Sequence, residues 1–315
     1  MNNKLLFLLT FLFLFTIESK VSAQVQNVTI TSKRNDDKSV DLYYEKKNPG
    51  TYTVRIELSN VNNCDITSYE KTITGFSGNF VKLRPVDKSR GISYSMRYST
   101  VMGEVNPKVD SLFHYILPFK SEKKIKVFEA GNVGEKYLGQ EKALNWKSYV
   151  VRTENPDTIC SMRKGIVVLI KNEYDSNATK DVQYTSMRNY VVVEHADGTY
   201  ASYKGFKKNG IFVQLGETVY PQTELGIVAL YDKNSYRVDF NVYYLSDNNF
   251  PSEKQSLNNY KSKYKFITPI FVTKEGDNTL ESKKEYTAAA NELVITHEFS
   301  RSEKKKYSKE HALIK

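Results

Sequence analysis

A chain of 315 residues allows about two domains with substantial cores. Its formal charge of +10 is scattered, with no Lys/Arg stripe interleaved with aromatics, so it reads as solvated surface rather than a nucleic-acid footprint. Two cysteines, Cys64 and Cys160, cannot build a thiolate zinc site; a disulfide between them is permitted in an exported protein, and the sequence leaves their pairing open.

The first residues read as a targeting segment. Lys4 precedes an apolar run from Leu5 to Ile17, which is short for a bilayer span, and Val21-Ser22-Ala23 places small residues at −3 and −1 before Gln24. Residues 1–23 are therefore expected to be a signal peptide, with the mature chain periplasmic, extracellular or at the cell surface. Its loss removes Lys4, Glu18 and Lys20 and lowers the formal charge by one. A basic exported protein tends to meet anionic polymers or surfaces. No later run approaches membrane length.

From residue 24 the pattern is of short strands. VQNVTITSK alternates, SVDLYYEKK follows, and Asn48-Pro49-Gly50 turns the chain into TYTVRIELSN. YEKTITG, NFVKLRPV and SYSMRYSTVMG continue the series, and HYILPF (114–119) reads as a last strand or a crossover. The spacing of turns predicts a seven-stranded immunoglobulin-like β-sandwich over 24–118, without the Cys…Trp…Cys signature.

A second region, 119–275, carries WKSYVVR, the run from Asp157 to Asn172, NYVVVEH, TYASYKG, GIFVQLG, TELGIVALYD and YRVDFNVYYL. Glycines at 165, 198, 205, 210, 216 and 226 punctuate these strands, as in a curled antiparallel sheet or barrel with tight corners. The fold class is thus mostly β. Residues 276–315 form a basic C-terminal extension. Ser300-Arg301-Ser302-Glu303 is a capping-box pattern, and from Arg301 onward six basic residues meet two acidic ones, which predicts a short surface helix or a frayed tail.

Four blocks of the second region carry a resemblance. ENPDTICSMRKGIVVLI, NYVVVEHADGTYASYKGF, GIFVQLGETVYPQTELGIV and YRVDFNVYYL follow one another with the glycines and valines of the lysostaphin/LytM-type zinc metallopeptidases, which cleave peptidoglycan cross-bridges. The likeness covers roughly residues 130–250. It implies a similar backbone path; the positions differ both for the zinc ligands (the early His-Asp pair and the second histidine of H-x-H) and for the two histidines that assist the reaction (the first of H-x-H and the one following the tyrosine). The histidine following the tyrosine corresponds to Lys204 after Tyr203. The two histidines of H-x-H correspond to Arg237 and Asp239. The early His-Asp pair falls in LNWKSYVV, which contains neither residue.

Protonated Lys204 and Arg237 have no lone pair for a metal, and each would repel a divalent ion by on the order of several kcal/mol. Asp239 alone is not a site. No histidine lies near Cys160 in sequence to activate it as a nucleophile. His195 matches a family histidine ahead of the Asp-Gly turn that is not a ligand, and a lone histidine at a strand end is commonly structural. The resemblance therefore implies a degenerate member with no cofactor and no catalytic residues. Lys204, Arg237, Asp239, Tyr203 and His195 are its candidate groove residues. If they converge, they form either an internal ion-pair network or a cationic site for carboxylates. Tyr200, Tyr236, Tyr243 and Tyr244 supply contact surface or half-buried cladding.

The expected function is that of an exported, non-catalytic envelope module that binds peptidoglycan, or regulates or scaffolds a cell-wall hydrolase or another envelope protein. The alternative is an active zinc-dependent peptidoglycan endopeptidase with atypical ligands, drawn from His114, His195, His297 or His311. A third reading is an adhesive surface protein in which the groove has no part.

Overall fold

The computed structural model describes residues 27–132, 144–175, 187–232, 234–247 and 262–312; the expected signal segment lies outside them. The fold is mostly β, in several sheets that are almost wholly antiparallel.

The N-terminal region is a six-stranded sandwich. One sheet has the order β1 (Val28–Arg34), β2 (Val40–Lys46), β5 (Ser77–Leu83). The other has β4 (Ser68–Ile73), β3 (Tyr52–Asn62), β6 (Ser93–Met102). The period-2 alternation of apolar residues turns Val28, Leu42, Val54, Ile56, Ile73 and Phe80 into one shared core. Each fully buried side chain of this kind contributes about 1.5–3 kcal/mol of transfer free energy.

A seventh sandwich strand does not form from HYILPF. Strand β7 (His114–Ile116) instead pairs in parallel with β19 (Ile270–Thr273) and places Tyr115 and Leu117 in the core of the second region. Of the two sequence readings for this segment, crossover is the one observed.

The second region is a large open sheet rather than a closed barrel. Its main path runs β14 (Thr218–Val219), β11 (Gly165–Lys171), β12 (Asn189–Glu194), β13 (Tyr200–Ile211), β17 (Ser235–Leu245), β9 (Tyr149–Thr153), β8 (Lys124–Glu129), β21 (Glu285–Thr287). Side branches such as β10 (Thr158–Cys160), β15 (Glu224–Val228) and β18 (Tyr264–Ile267) curl it. Alternation gives the sheet two distinct faces. Val151, Val193, Ala201, Tyr203, Val238 and Phe240 fill the inner core. Their sequence neighbours Lys204, Arg237 and Asp239 therefore stand on the outer face. The C-terminal extension begins with β20 (Gly276–Asn278), which pairs with β19, and its next strand, β21, closes the edge of the large sheet on β8.

The sandwich packs on part of that outer face. Val168, Val192 and the stacked pair Tyr200–Tyr243 meet Met102. Glu194 accepts a hydrogen bond from the Thr51 amide at 2.9 Å, and the Asn106 amide donates to the Leu245 carbonyl at 2.8 Å. Burial lowers the Lys46 ammonium pKa, an effect that the nearby Glu194 charge opposes. Tyr200 and Tyr243 are thus interface cladding rather than groove surface.

At the C-terminus, α1 (Glu292–Ile295) precedes α2 (Arg301–Ala312). The capping box forms: the Ser300 amide donates to Glu303 at 2.6 Å, and the Glu303 amide to the Ser300 hydroxyl at 3.3 Å. Glu303 also receives Lys164 at 2.8 Å and the Tyr220 hydroxyl at 2.7 Å, which docks the helix N-terminus on the sheet.

Candidate functional site

Three of the five candidate residues converge. In the antiparallel β13–β17 register, Lys204 lies opposite Asp239, and Arg237 is two residues along on the same face. Arg237 grips Asp239 with both arms of its guanidinium, Nε to Oδ1 and Nη2 to Oδ2, each at 2.7 Å. Its Nη1 donates to the Tyr231 hydroxyl at 3.1 Å.

A fourth member was missed in the sequence. Arg188, buried just ahead of β12, reaches Asp239 Oδ1 at 2.9 Å through Nη1. Its Nη2 donates to the carbonyls of Arg237 at 2.6 Å and Lys204 at 3.2 Å. This approach requires glycine at 205. Gly205 has φ +125°, and a Cβ there would lie 2.3 Å from the Arg237 carbonyl oxygen and 2.4 Å from Arg188 Nη2. The sequence signal was a glycine directly after Lys204 within a strand, which marks close backbone approach. Tyr231 is also central. Arg152, Arg188 and Arg237 hold their guanidinium carbons 5.3, 5.1 and 4.8 Å from its ring centre.

The electrostatics follow from this packing. Burial alone would raise the Asp239 carboxyl pKa, but the charges and hydrogen bonds of Arg188 and Arg237 outweigh burial and hold it below the usual carboxylate range. Burial lowers the Lys204 ammonium pKa, Arg188 and Arg237 lower it further, and Asp239 only partly compensates. Asp239 is therefore ionised and saturated, facing three cations.

The other two candidates lie elsewhere. Tyr203 points into the inner core, where its hydroxyl accepts the Met162 amide at 2.9 Å. Neighbouring residues of a strand face opposite ways, so Tyr203 and Lys204 cannot line one groove. His195 is buried in a second polar cluster. Its Nδ1 bonds the Lys164 carbonyl at 2.9 Å, while Nε2 has no partner among the described residues. Burial foremost, and then the charge of Arg163, depress its pKa to about 3.

That second cluster centres on Arg163. It pairs with Asp197 at 2.9 Å and with Glu298 at 2.8 Å, donates to the Tyr115 hydroxyl at 3.1 Å, and lies 3.7 Å from the centre of the Phe113 ring. The remaining histidines are also accounted for in part. His114 pairs with Asp277 at 3.0 Å, and His297 packs edge-on against Phe113; the side chain of His311 lies outside the described residues. Cys64 and Cys160 are both free thiols. Burial, helped by Glu224, pushes the Cys160 pKa up to about 12, leaving it a thiol rather than a nucleophile.

A zinc ion does not fit the Asp239 cluster. Lys204, Arg188 and Arg237 offer protons where a metal needs electron pairs, and the one carboxylate already accepts three guanidinium contacts. Among the described residues no three His, Cys, Asp or Glu side chains come together as a ligand set.

No protein-family model matches this chain, and no curated protein matches it. Solved structures give distant likenesses. The SpoIIQ–SpoIIIAH pore-forming complex aligns at 19% identity over 42% of this chain and 85% of its own, with a TM-score of 0.26. A zinc-containing peptidase from Vibrio cholerae aligns at 12% identity over 68% of this chain and 74% of its own, with a TM-score of 0.28. Likenesses at these scores carry no weight for function, which rests on the chain's own residues.

Proposed function

We propose that this chain is an exported, non-catalytic module of the cell envelope, built on a metallopeptidase-like sheet and acting by binding: to peptidoglycan, or as a regulator or scaffold for a hydrolase or another envelope protein. The observation that carries the reading is the state of Asp239. Of the three positions that the peptidase resemblance assigns to Lys204, Arg237 and Asp239, only Asp239 has a metal-binding side chain, and two arginines close it off. No residue there can activate a water or polarise a carbonyl through a metal. The targeting segment supports export, and the sandwich docked on the sheet through Met102, Tyr200 and Glu194 supports a rigid two-part binding body.

The test is direct. The chain from Gln24 onward is incubated with purified peptidoglycan, with and without added zinc, and released fragments are separated by chromatography; sedimentation and pull-down from envelope extracts follow binding. The expected result is binding to the wall or to an envelope protein with no fragments released. Zinc-dependent release of cross-bridge fragments would overturn the reading.

A further inference from the structure

We propose that the outer-face cluster of Lys204, Arg188 and Arg237 is a binding site for an oxyanion, the carboxylate or phosphate group of a partner molecule. The inference rests on the reading that this cluster is not a metal centre, and it names the ligand chemistry.

The first ground is charge. Arg188 and Arg237 share one carboxylate, Asp239, and Lys204 stands opposite it in the β13–β17 register without pairing to it. The adjoining Arg152 adds nothing to the excess, because Asp232 pairs with it at 2.8 Å. Among the described residues the cluster therefore keeps two positive charges without a counter-charge, in a half-buried setting where water screens them poorly. A like-charge cluster of this kind is relieved by an anion.

The second ground is the Lys204 ammonium. It makes no hydrogen bond or ion pair with any described residue, although Arg188, Arg237 and Asp239 all act on it electrostatically. Its three donors are thus available.

The third ground is rigidity. Arg188 is held by two backbone carbonyls and Asp239; Arg237 is held by Asp239 and Tyr231. Two fixed guanidiniums supply the field, and one lysine supplies the direct contact. Little ordering is then required when the ligand arrives. Asp239 has a role here that a purely cationic pocket would lack. It orients both arginines, and it lowers the site's charge enough for the empty state to fold.

The experiment is an NMR titration of the chain from Gln24 onward at low ionic strength, following the Arg Nε–H signals. The probes are inorganic phosphate, a short peptide ending in a free carboxylate, and the same peptide amidated. The expected result is saturable shifts of Arg188 and Arg237, with Lys204→Gln weakening binding about tenfold or more, and Lys88→Gln, in the sandwich loop beside Asn63 and away from the large sheet, leaving it unchanged. Saturation by phosphate alone assigns a phosphate ligand. Saturation by the free-carboxylate peptide but not its amide assigns a carboxylate. Absence of shifts by either up to roughly 10 mM, or unchanged affinity in Lys204→Gln, overturns the site. Because the shifts are read in the native protein, the outcome does not hang on how the variant folds. A separate zinc titration divides the two failures: stoichiometric zinc would sink the non-metal reading, whereas phosphate and peptide failing without zinc binding would sink this proposal alone.

Discussion

The two buried ion clusters of the large sheet solve the same problem in opposite ways. Around Arg163, one guanidinium meets two carboxylates, Asp197 and Glu298, and an aromatic ring. Around Asp239, one carboxylate meets two guanidiniums and a lysine. The first cluster saturates its cation and ties the C-terminal segment to the sheet, so it is a fastening. The second leaves cations in excess on the outer face, so it is a poised surface. Charge stoichiometry, rather than burial, separates the structural network from the one that can receive a ligand.

The largest effect should come from breaking the fastening. Arg163→Met leaves Asp197 and Glu298 without their partner and should cost about 4 kcal/mol of unfolding free energy, measured by chemical denaturation. A loss below about 1 kcal/mol would mean that the cluster is only decorative.

The next comes from acid. His195 has a folded pKa of about 3 against an ordinary value of 6.5, so the unfolded chain binds a proton in that window and the native chain does not. Stability should fall as pH drops from 6.5 toward 3, with a slope approaching about 1.4 kcal/mol per pH unit. Asp197, whose pKa is lowered in the fold, adds loss in the same direction at the acid end. Thermal melts across pH of the native chain and His195→Asn should show the slope flatten in the variant. Equal slopes would place the titration elsewhere.

Gly205→Ala tests the backbone approach that admits Arg188. It should cost about 3 kcal/mol and loosen the Arg237–Asp239 pairing, visible as altered Arg Nε–H shifts. A variant as stable as the native chain would show that Arg188 can reach Asp239 another way.

The smallest effect has the opposite sign. The fold depresses the Lys204 pKa, so near neutral pH its charge opposes folding, and this cost is relieved only as pH rises through the folded value. Lys204→Met should therefore stabilise the protein at pH 7 by roughly 1 kcal/mol. Destabilisation would show a bond that Lys204 makes and the present account lacks.

Much of this was legible in the chain. Alternating Tyr, Val, Ile and Thr predicted strands, and turn spacing predicted the sandwich followed by a curled sheet. The shared face of Arg237 and Asp239 follows from the i, i+2 rule, whereas the convergence of Lys204 with them was only a supposition in the sequence, and the β13–β17 register supplies it. Three things were not legible. Arg188 bonds residues on two other strands, and only the hole at Gly205 hinted at it. Arg163 finds Glu298 across the length of the second region, a pairing that no local pattern encodes. Strand β7 was open in the sequence between a last sandwich strand and a crossover, and what no local pattern showed is its partner β19, which lies far downstream. Tyr203 was misplaced for a different reason: alternation already assigned it to the face opposite Lys204.

The most direct test of the account is calorimetric titration of metal-free protein with zinc at neutral pH, on the native chain and on Asp239→Asn. The predicted result is no stoichiometric heat in either. One zinc bound per native chain, and lost in Asp239→Asn, would contradict it.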